Sequence, residues 1–223
     1  MTASHAPWPA QARELAMLIS ESKSFLFVHV QKTAGTSLAD ILRPYALTPD
    51  SGRFNKLASD LGLVRDWRKF HFRKHANLRK AQSVIPASVY DSLFKFAFVR
   101  NPWERLVSWY QYVQKTPTHE DCKPGEAFAD FAGRFLAKPR RAQWWMIEDS
   151  SGGMGLDYVG RFETLSDDIA HICQQIGIAP QTLPHRNKMA EKDYRTYYDD
   201  NLAQTVKNIW AREIDAFGYT FEP

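Results

Sequence analysis

The sequence has little cysteine and no long apolar run. Its 223 residues include two cysteines, Cys122 and Cys173, which lie far apart and outside any CxxC or zinc-finger spacing. This usage argues against a disulfide framework and favours two isolated buried thiols in a reducing compartment. No apolar stretch approaches the roughly 20 residues of a membrane span, and the N-terminus lacks the basic and apolar segments of a secretory signal. We therefore expect a cytoplasmic protein without an integral membrane segment. Peripheral contact with a membrane is compatible with this sequence.

A strong charge imbalance is also missing. The 29 Lys and Arg residues exceed the 25 Asp and Glu residues by only four, which does not by itself argue for a nucleic-acid partner. Seven of the sixteen residues from 65 to 80 are Arg or Lys, which indicates either a solvated basic face or a surface that attracts an anion. With 44% hydrophobic residues, we expect a globular protein with a single domain over residues 1–223, in which residues 1–22 form a helical extension.

Two segments share one pattern, an apolar strand that ends in a polar turn and opens a helix. The first strand is predicted over Ser24–Val30, with its helix beginning at Thr36 or Ser37. The second strand is predicted over Phe94–Arg100, with its helix beginning at Pro102. Free backbone N–H groups and the helix dipole both point at such a turn, so each turn is a natural anion site. Two of them suggest a ligand with phosphate-like groups at both ends.

The other elements are predicted from hydrophobic periodicity and from proline and glycine breakers. Alternation of strands with helices favours an α/β fold with a parallel sheet. The predicted helices lie over Gln11–Ser20, Phe54–Leu63, Ala76–Val84, Ala127–Leu136, Ser166–Gly177 and Asp199–Phe217, and a third strand lies over Tyr158–Phe162.

The first turn, residues 31–37 (QKTAGTS), differs from a nucleoside-triphosphate P-loop. Lys32 precedes the single Gly35, whereas the Walker pattern has two glycines followed by Lys and Ser or Thr. No acidic strand end nearby suggests a magnesium ligand. These features favour a phosphate cradle without magnesium over a kinase site, and a simple turn with a helix cap is the plain alternative.

Both turns resemble the cofactor loops of sulfotransferases that use 3′-phosphoadenosine 5′-phosphosulfate (PAPS). His29–Leu38 (HVQKTAGTSL) is similar to their 5′-phosphosulfate loop, and Phe98–Tyr110 (FVRNPWERLVSWY) is similar to their 3′-phosphate motif. The carbohydrate-type, or family 2, enzymes are the most similar, and the resemblance extends through Tyr158–Leu165 (YVGRFETL) and Phe217–Phe221 (FGYTF). It implies a P-loop-like three-layer α/β/α fold with a central, mainly parallel sheet.

The resemblance also implies a role for each residue of the two turns. Lys32 would stabilise charge on the bridging oxygen as the sulfuryl group leaves. Arg100, through its planar fork, and Ser108 would bind the 3′-phosphate. A capping or salt-bridge arginine is the plain alternative for Arg100. The 5′-phosphate would be held by backbone and hydroxyl groups of the other loop residues, namely Thr33, Ala34, Gly35, Thr36 and Ser37.

The acceptor hydroxyl needs a base, and the resemblance points to His75, in a Lys-His-Ala stretch before a helix. A neutral imidazole accepts a proton near physiological pH. A structural histidine is one alternative, and a glutamate serves as base in some relatives. A zinc pair with His71 is disfavoured, because it lacks a third ligand and lies among cations. The resemblance further places a loop near the active site, which contains His185, Arg186 and Lys188.

The sequence thus predicts a sulfotransferase that uses PAPS, needs no metal and releases 3′-phosphoadenosine 5′-phosphate (PAP). A saccharide hydroxyl is the expected acceptor, while a lipid or small-metabolite hydroxyl, or less readily an amine, also fits. Two other classes remain. A nucleotide-dependent kinase would need magnesium and an acidic metal ligand. A binding protein would keep the nucleotide site without turnover.

Overall fold

The computed structural model describes residues 17–49, 52–72, 76–182 and 193–222. A sheet of four strands forms the centre of this part of the chain. In spatial order the strands are β1 (Met17–Ser20), β2 (Phe25–Val28), β3 (Phe94–Val99) and β4 (Tyr158–Arg161). The β2–β3 and β3–β4 pairs are parallel, and β1 runs antiparallel to β2. The prediction of a mainly parallel sheet is confirmed.

The apolar side chains of the central strands alternate between two faces of the sheet. In β2, Leu26 and Val28 lie in one buried cluster, and Phe25 and Phe27 lie in the other. The residues of β3 alternate in the same way. Because successive side chains of a strand point to opposite faces, a continuous apolar run requires cover on both sides. Helices supply this cover, which gives the three-layer α/β/α arrangement that was expected.

A turn over residues 21–24 joins β1 to β2, and helices lie between β2 and β3 and between β3 and β4. A third buried cluster includes Trp103, Phe131 and Trp210 and is formed mainly by helices. The helices are α1 (Gly35–Leu42), α2 (Arg53–Asp60), α3 (Leu78–Val84), α4 (Ala87–Ser92), α5 (Pro102–Gln114), α6 (Phe128–Leu136), α7 (Gln143–Ile147), α8 (Leu165–Gln175), α9 (Asp200–Ile209) and α10 (Ala211–Phe217).

Two helix predictions need correction. Met17–Ser20 is a strand rather than the end of a helix, because its four residues are all buried and pair with β2. The predicted helix over 199–217 is two helices that meet at Trp210, whose φ of −106° and ψ of 24° interrupt the α-helical backbone. Residues 11–16 lie outside the described residues, and the single domain remains a prediction.

Two further observations bear on the composition. Cys173 is buried as expected, whereas Cys122 is only half-buried. None of the helices in the described ranges combines the length and apolarity needed to cross a bilayer.

Candidate active site

The two predicted anion turns lie side by side at one edge of the sheet. Strands β2 and β3 are parallel neighbours, so their carboxyl ends share that edge. Arg100, directly after β3, donates from Nη1 to the carbonyl of Lys32 at 3.4 Å. Arg105 on α5 donates from Nε to the carbonyl of Gln31 at 3.0 Å. These bonds join residues of the two turns that are about 70 positions apart in sequence.

The first turn has an uncommon backbone conformation. Lys32 and Ala34 have φ values of 69° and 63°, in the left-handed region that costs about 1–2 kcal/mol for a residue with a side chain. The hydroxyl of Thr33 holds the turn from inside, since it is buried and donates to the carbonyl of Val30 at 2.8 Å. Its proton is therefore used within the loop. In this conformation Thr33 offers a ligand its backbone N–H rather than its hydroxyl proton.

Gly35 is required by the imidazole of His29. A Cβ atom at position 35 would lie 2.0 Å from His29 Cδ2 and 2.2 Å from Nε2. The imidazole is stacked on the ring of Phe27, with the ring centroids 6.2 Å apart. The close approach of the loop backbone to this ring explains the glycine, which has no need of a positive φ here.

The first turn of α1 has backbone N–H groups that no side chain caps. Within the described residues, no side chain caps this helix at Ala34, and its first turn contains no acidic residue. Thr36 is exposed and Ser37 is half-buried. The N–H group of Ser37 donates to the carbonyl of Ala34 at 3.0 Å, which leaves the N–H groups of Gly35 and Thr36 and the positive dipole end for an anionic ligand.

The ammonium group of Lys32 lies in an electrostatic environment that disfavours its charge. Burial, together with the charges of Arg100 and Arg105, lowers the pKa of Lys32 to about 8. The ammonium lies 4.5 Å from the ring centroid of Tyr112, a cation–π contact that compensates only part of a lost hydration shell. An anion bound beside Lys32 would reverse this shift, because opposite charge favours the protonated form.

Arg100 is held firmly at the second turn. Its guanidinium forms an ion pair with Glu104 at 2.5 Å and lies 4.0 Å from the ring centroid of Phe162. The ion pair is the salt bridge that the sequence left as an alternative. Its Nε is buried and has no hydrogen-bond partner among the described residues, and the side chain as a whole is 13% exposed.

Ser108 lies one helical turn beyond Glu104 on the same face of α5, and Tyr112 follows after one more turn. Residues four apart on a helix are neighbours. Since Glu104 contacts Arg100 and Tyr112 contacts Lys32, the half-buried Ser108 lies between these two contacts. The structure thus gathers the predicted lysine, arginine and serine on one surface.

A buried hydrogen-bond network fixes the Arg100 backbone, and sequence reasoning missed it. Gln143 on α7 accepts from the backbone N–H of Arg100 and donates to its carbonyl, both at 2.9 Å. Gln143 also donates to Glu213 at 3.2 Å, and Glu213 accepts from the N–H of Trp144 at 3.0 Å. Burial raises the pKa of Glu213, while Arg105 opposes that rise. No local pattern around Gln143 or Glu213 signals these long-range bonds.

Arg105 is a second residue that sequence reasoning missed. It is 1% exposed, and its guanidinium lies 5.9 Å and 5.6 Å from the ring centroids of Trp109 and Trp210. Burial lowers the pKa of Arg105 to about 10, with Glu213 acting against the shift. Its Nη1 has no hydrogen-bond partner in the part of the chain that the structure describes. A buried arginine beside a loop was signalled only by its position inside the FVRNPWERLVSWY motif.

Two other motif segments meet at Asn101. Glu163 accepts from the backbone N–H of Asn101 at 2.7 Å and from the hydroxyl of Tyr219 at 3.0 Å. Asn101 in turn donates to the carbonyl of Thr220 at 3.0 Å. The segments YVGRFETL and FGYTF therefore support the second turn from outside.

His75 lies outside the described residues, as do His185, Arg186 and Lys188. On either side of residues 73–75, Phe72 and Ala76 are buried in the cluster that contains Val30 and Val99. Those two valines are the last buried residues before the two turns. Within the described ranges, no three side chains of the metal-ligating types converge on one point.

Comparisons with known proteins give one family. A model of the sulfotransferase family matches residues 16–220. The chain is 24% identical over 112 residues to an uncharacterized protein of Archaeoglobus fulgidus, a match that covers 50% of this chain and 90% of that protein. It is 24% identical over 171 residues to carbohydrate sulfotransferase 10 of Xenopus laevis, covering 58% of this chain. The chain spans about half (48%) of the length of that enzyme.

Among solved structures, a sulfotransferase from Alicyclobacillus acidocaldarius aligns over 80% of both chains, with 16% identity and a TM-score of 0.42.

Proposed function

The chain belongs to the sulfotransferase family, and we propose that it transfers a sulfuryl group from PAPS to an acceptor hydroxyl. The observation that carries this proposal is the convergence of Lys32, Arg100 and Arg105 at the two adjacent turns. Glu104 pairs with Arg100, whereas Lys32 forms no ion pair within the described ranges, so an anion bound beside Lys32 would offset the cost of its burial. PAPS has anionic groups at both ends, as two adjacent anion turns require.

Each end of the donor has a matching set of groups in this proposal. The start of α1 binds the 5′-phosphate through the backbone N–H groups of Ala34, Gly35 and Thr36 and through the hydroxyl of Ser37. Arg100 and Ser108 bind the 3′-phosphate, for which Arg100 contributes Nη hydrogens that its bonds to Lys32 and Glu104 leave unused. Glu104 keeps the guanidinium in place through its ion pair.

The proposed reaction is an in-line transfer. The acceptor oxygen forms a bond to sulfur as the bond between sulfur and the bridging oxygen of the 5′-phosphate breaks, and the electron pair of that bond stays on the phosphate of PAP. Lys32 stabilises the charge that develops on this oxygen. His75 takes the proton of the acceptor hydroxyl. The support for His75 is the resemblance of its Lys-His-Ala stretch to the family segment that supplies a catalytic histidine.

The proposed acceptor is a saccharide hydroxyl. Its support is the resemblance to carbohydrate-type enzymes and the match to a protein named as a carbohydrate sulfotransferase. Lipid and small-metabolite hydroxyls belong in the same acceptor screen.

Calorimetric titration of PAP in the presence of EDTA tests the donor assignment. We expect micromolar affinity for the wild type and at least about a tenfold loss in Arg100→Ala, or about 1.4 kcal/mol. Arg134→Ala is the matched control, because Arg134 on α6 forms a similar ion pair with Glu126 at 2.6 Å. This control is expected to keep wild-type affinity.

Three results would contradict the proposal. Absence of PAP binding, or ATP binding of equal strength that requires magnesium, would favour the kinase class. A His75→Ala variant that equals the wild type in every activity measured, PAP binding included, would support the binding-protein class.

A further inference from the structure

Helix α2 exposes its apolar side chains to solvent. Phe54 is 91% exposed and Leu57 is 56% exposed, and Leu61, directly after the helix, is 62% exposed. Their spacing of three and four residues places them on one face. Leu63, two residues after Leu61, is 68% exposed. We call these four residues the apolar ridge.

The opposite, polar face of α2 attaches the helix to the protein. Ser59 is 1% exposed, and its hydroxyl accepts from the backbone N–H of His71 at 2.9 Å. Asn55 donates to the carbonyl of Lys69 at 2.8 Å. A surface helix ordinarily buries its apolar face, so this reversed arrangement indicates that the ridge contacts something outside the described chain.

The segment that carries the apolar ridge is cationic. Between residues 52 and 72 the sequence has five Arg or Lys residues and two Asp residues. Arg68 forms ion pairs with Glu21 and Asp66. The other four cations, Arg53, Lys56, Arg65 and Lys69, form no ion pair with any residue that the structure describes. An apolar surface with unpaired cations around it complements an apolar layer that carries negative charge.

The charge and shape of the ridge distinguish among its potential occupants. A symmetric contact with a second copy would bring the two cationic rims together, which is repulsive. A protein partner would have to supply a matched acidic pocket for Phe54, whose ring protrudes. A bilayer adapts its shape to a protruding ring, and anionic headgroups attract the rim.

We propose that the apolar ridge docks this protein on anionic lipid bilayers. Phe54, Leu57, Leu61 and Leu63 enter the boundary between headgroups and acyl chains, and the four cations contact lipid phosphates. This surface is independent of the donor site, so it stands apart from the proposed function.

Vesicle co-sedimentation of the full chain tests the proposal. Vesicles of phosphatidylcholine alone are compared with vesicles that contain about one third phosphatidylglycerol. The wild type should bind the anionic vesicles, and binding should weaken as salt is added. Leu57→Ser with Leu61→Ser should reduce partitioning by about tenfold or more, because less apolar surface is buried. Arg65→Glu with Lys69→Glu should produce a similar loss.

Matched controls come from helix α9. Ile209 is 50% exposed and Lys207 is exposed, so Ile209→Ser and Lys207→Glu make the same changes away from the ridge and should bind like the wild type. PAP affinity should be unchanged in the Leu57→Ser, Leu61→Ser variant.

The proposal is overturned if the wild type does not bind anionic vesicles, or if the double leucine variant binds them as well as the wild type. Sedimentation velocity provides a further check. A wild-type dimer that this variant dissociates, without vesicle binding, would assign the ridge to a second copy.

Discussion

The imidazole of His29 occupies the space in which a side chain at position 35 would begin. The contact therefore couples a strand-end ring to the backbone that faces the 5′-phosphate in the proposed complex. A methyl group at Gly35 would have to displace the ring, which is stacked on Phe27, or move the loop itself. Either displacement changes the positions of the backbone N–H groups at the start of α1.

Gly35→Ala is expected to lower stability by about 1–3 kcal/mol, as an overpacked contact does. PAP affinity should fall with it, because the loop backbone moves. Urea unfolding and calorimetric titration measure the two effects.

Gly133→Ala is the matched control, because a Cβ there meets nothing within 4 Å in the middle of α6. It should be neutral, or stabilising by up to about 1 kcal/mol. Equal stability and affinity in both variants would contradict the proposed role of the His29 contact.

Lys32 gives PAP binding a defined pH dependence. Burial and two arginines lower the pKa of Lys32 to about 8 in the free protein, and a bound phosphate raises it. Binding therefore favours the protonated amine. Affinity should be highest near pH 7 and fall by up to about tenfold per pH unit above pH 8. Titrations in buffers of different ionisation enthalpy should show proton uptake above pH 8.

The control for this prediction is Lys32→Met. It should bind PAP more weakly, with no change in affinity between pH 7 and about pH 9, since its side chain has no proton to gain. Wild-type affinity that is independent of pH over this range would show that Lys32 does not contact the ligand.

Among the structural elements, the short helix α7 holds the backbone of the second turn in place. The side chain of Gln143 accepts from the backbone N–H of Arg100 and donates to the backbone carbonyl of Arg100. These are the two bonds that a neighbouring strand would otherwise form with this residue. Glu213 on α10 completes the bonding of Gln143. Helix α7, although remote from β3 in sequence, thus fixes the backbone directly after β3.

Gln143→Leu should destabilise the fold by about 2–4 kcal/mol, because it leaves polar groups of Arg100 and Glu213 buried without their partner. In protein that is still folded, PAP affinity should fall about tenfold as the Arg100 turn loses its position. Urea unfolding and titration below the unfolding transition separate these effects.

Gln82→Leu is the comparison, since Gln82 also accepts from a backbone N–H at 2.9 Å but does so at the surface. A cost below about 1 kcal/mol is expected there. If Gln143→Leu binds PAP like the wild type, the network is structural only.

The strand–turn–helix units were predictable from sequence because apolar runs, a glycine and Pro102 mark them within a few positions. Strand β1 was not, because its three apolar residues and one serine fit a helical or an extended pattern equally until a partner strand is known. The roles of Gln143 and Arg105 depend on contacts with residues far along the chain. Only the Arg100–Glu104 pair, four apart on adjoining elements, could have been recognised from spacing.

Across the whole molecule, the proposed donor site connects separate parts of the core. The turns follow strands in the cluster around Val30 and Val99, whereas α5 packs in the cluster around Trp103 and Trp210. Arg105 links the two regions through the carbonyl of Gln31 and the ring of Trp210. A ligand that contacts both turns therefore stabilises the folded chain as a unit.

PAP should raise the thermal midpoint of the wild type in the presence of EDTA. At a ligand concentration 100 times the Kd, the stabilisation is about 2.7 kcal/mol, which corresponds to roughly 5–10 °C for a chain of this size. Differential scanning fluorimetry measures the shift. Arg100→Ala should show a smaller shift at the same concentration, and a shift of equal size with ATP and magnesium alone would contradict the donor assignment.

The lowered pKa of Lys32 has a chemical consequence. A pKa of about 8 leaves roughly one tenth of the amine neutral at pH 7, whereas an ordinary lysine is almost fully protonated there. The neutral amine is the nucleophilic form, so acylating and sulfonylating reagents should modify Lys32 ahead of solvated surface lysines. A nucleotide bound at the same turn would shield it, and the labelling rate of this one amine would then report how much of the protein has its donor site filled.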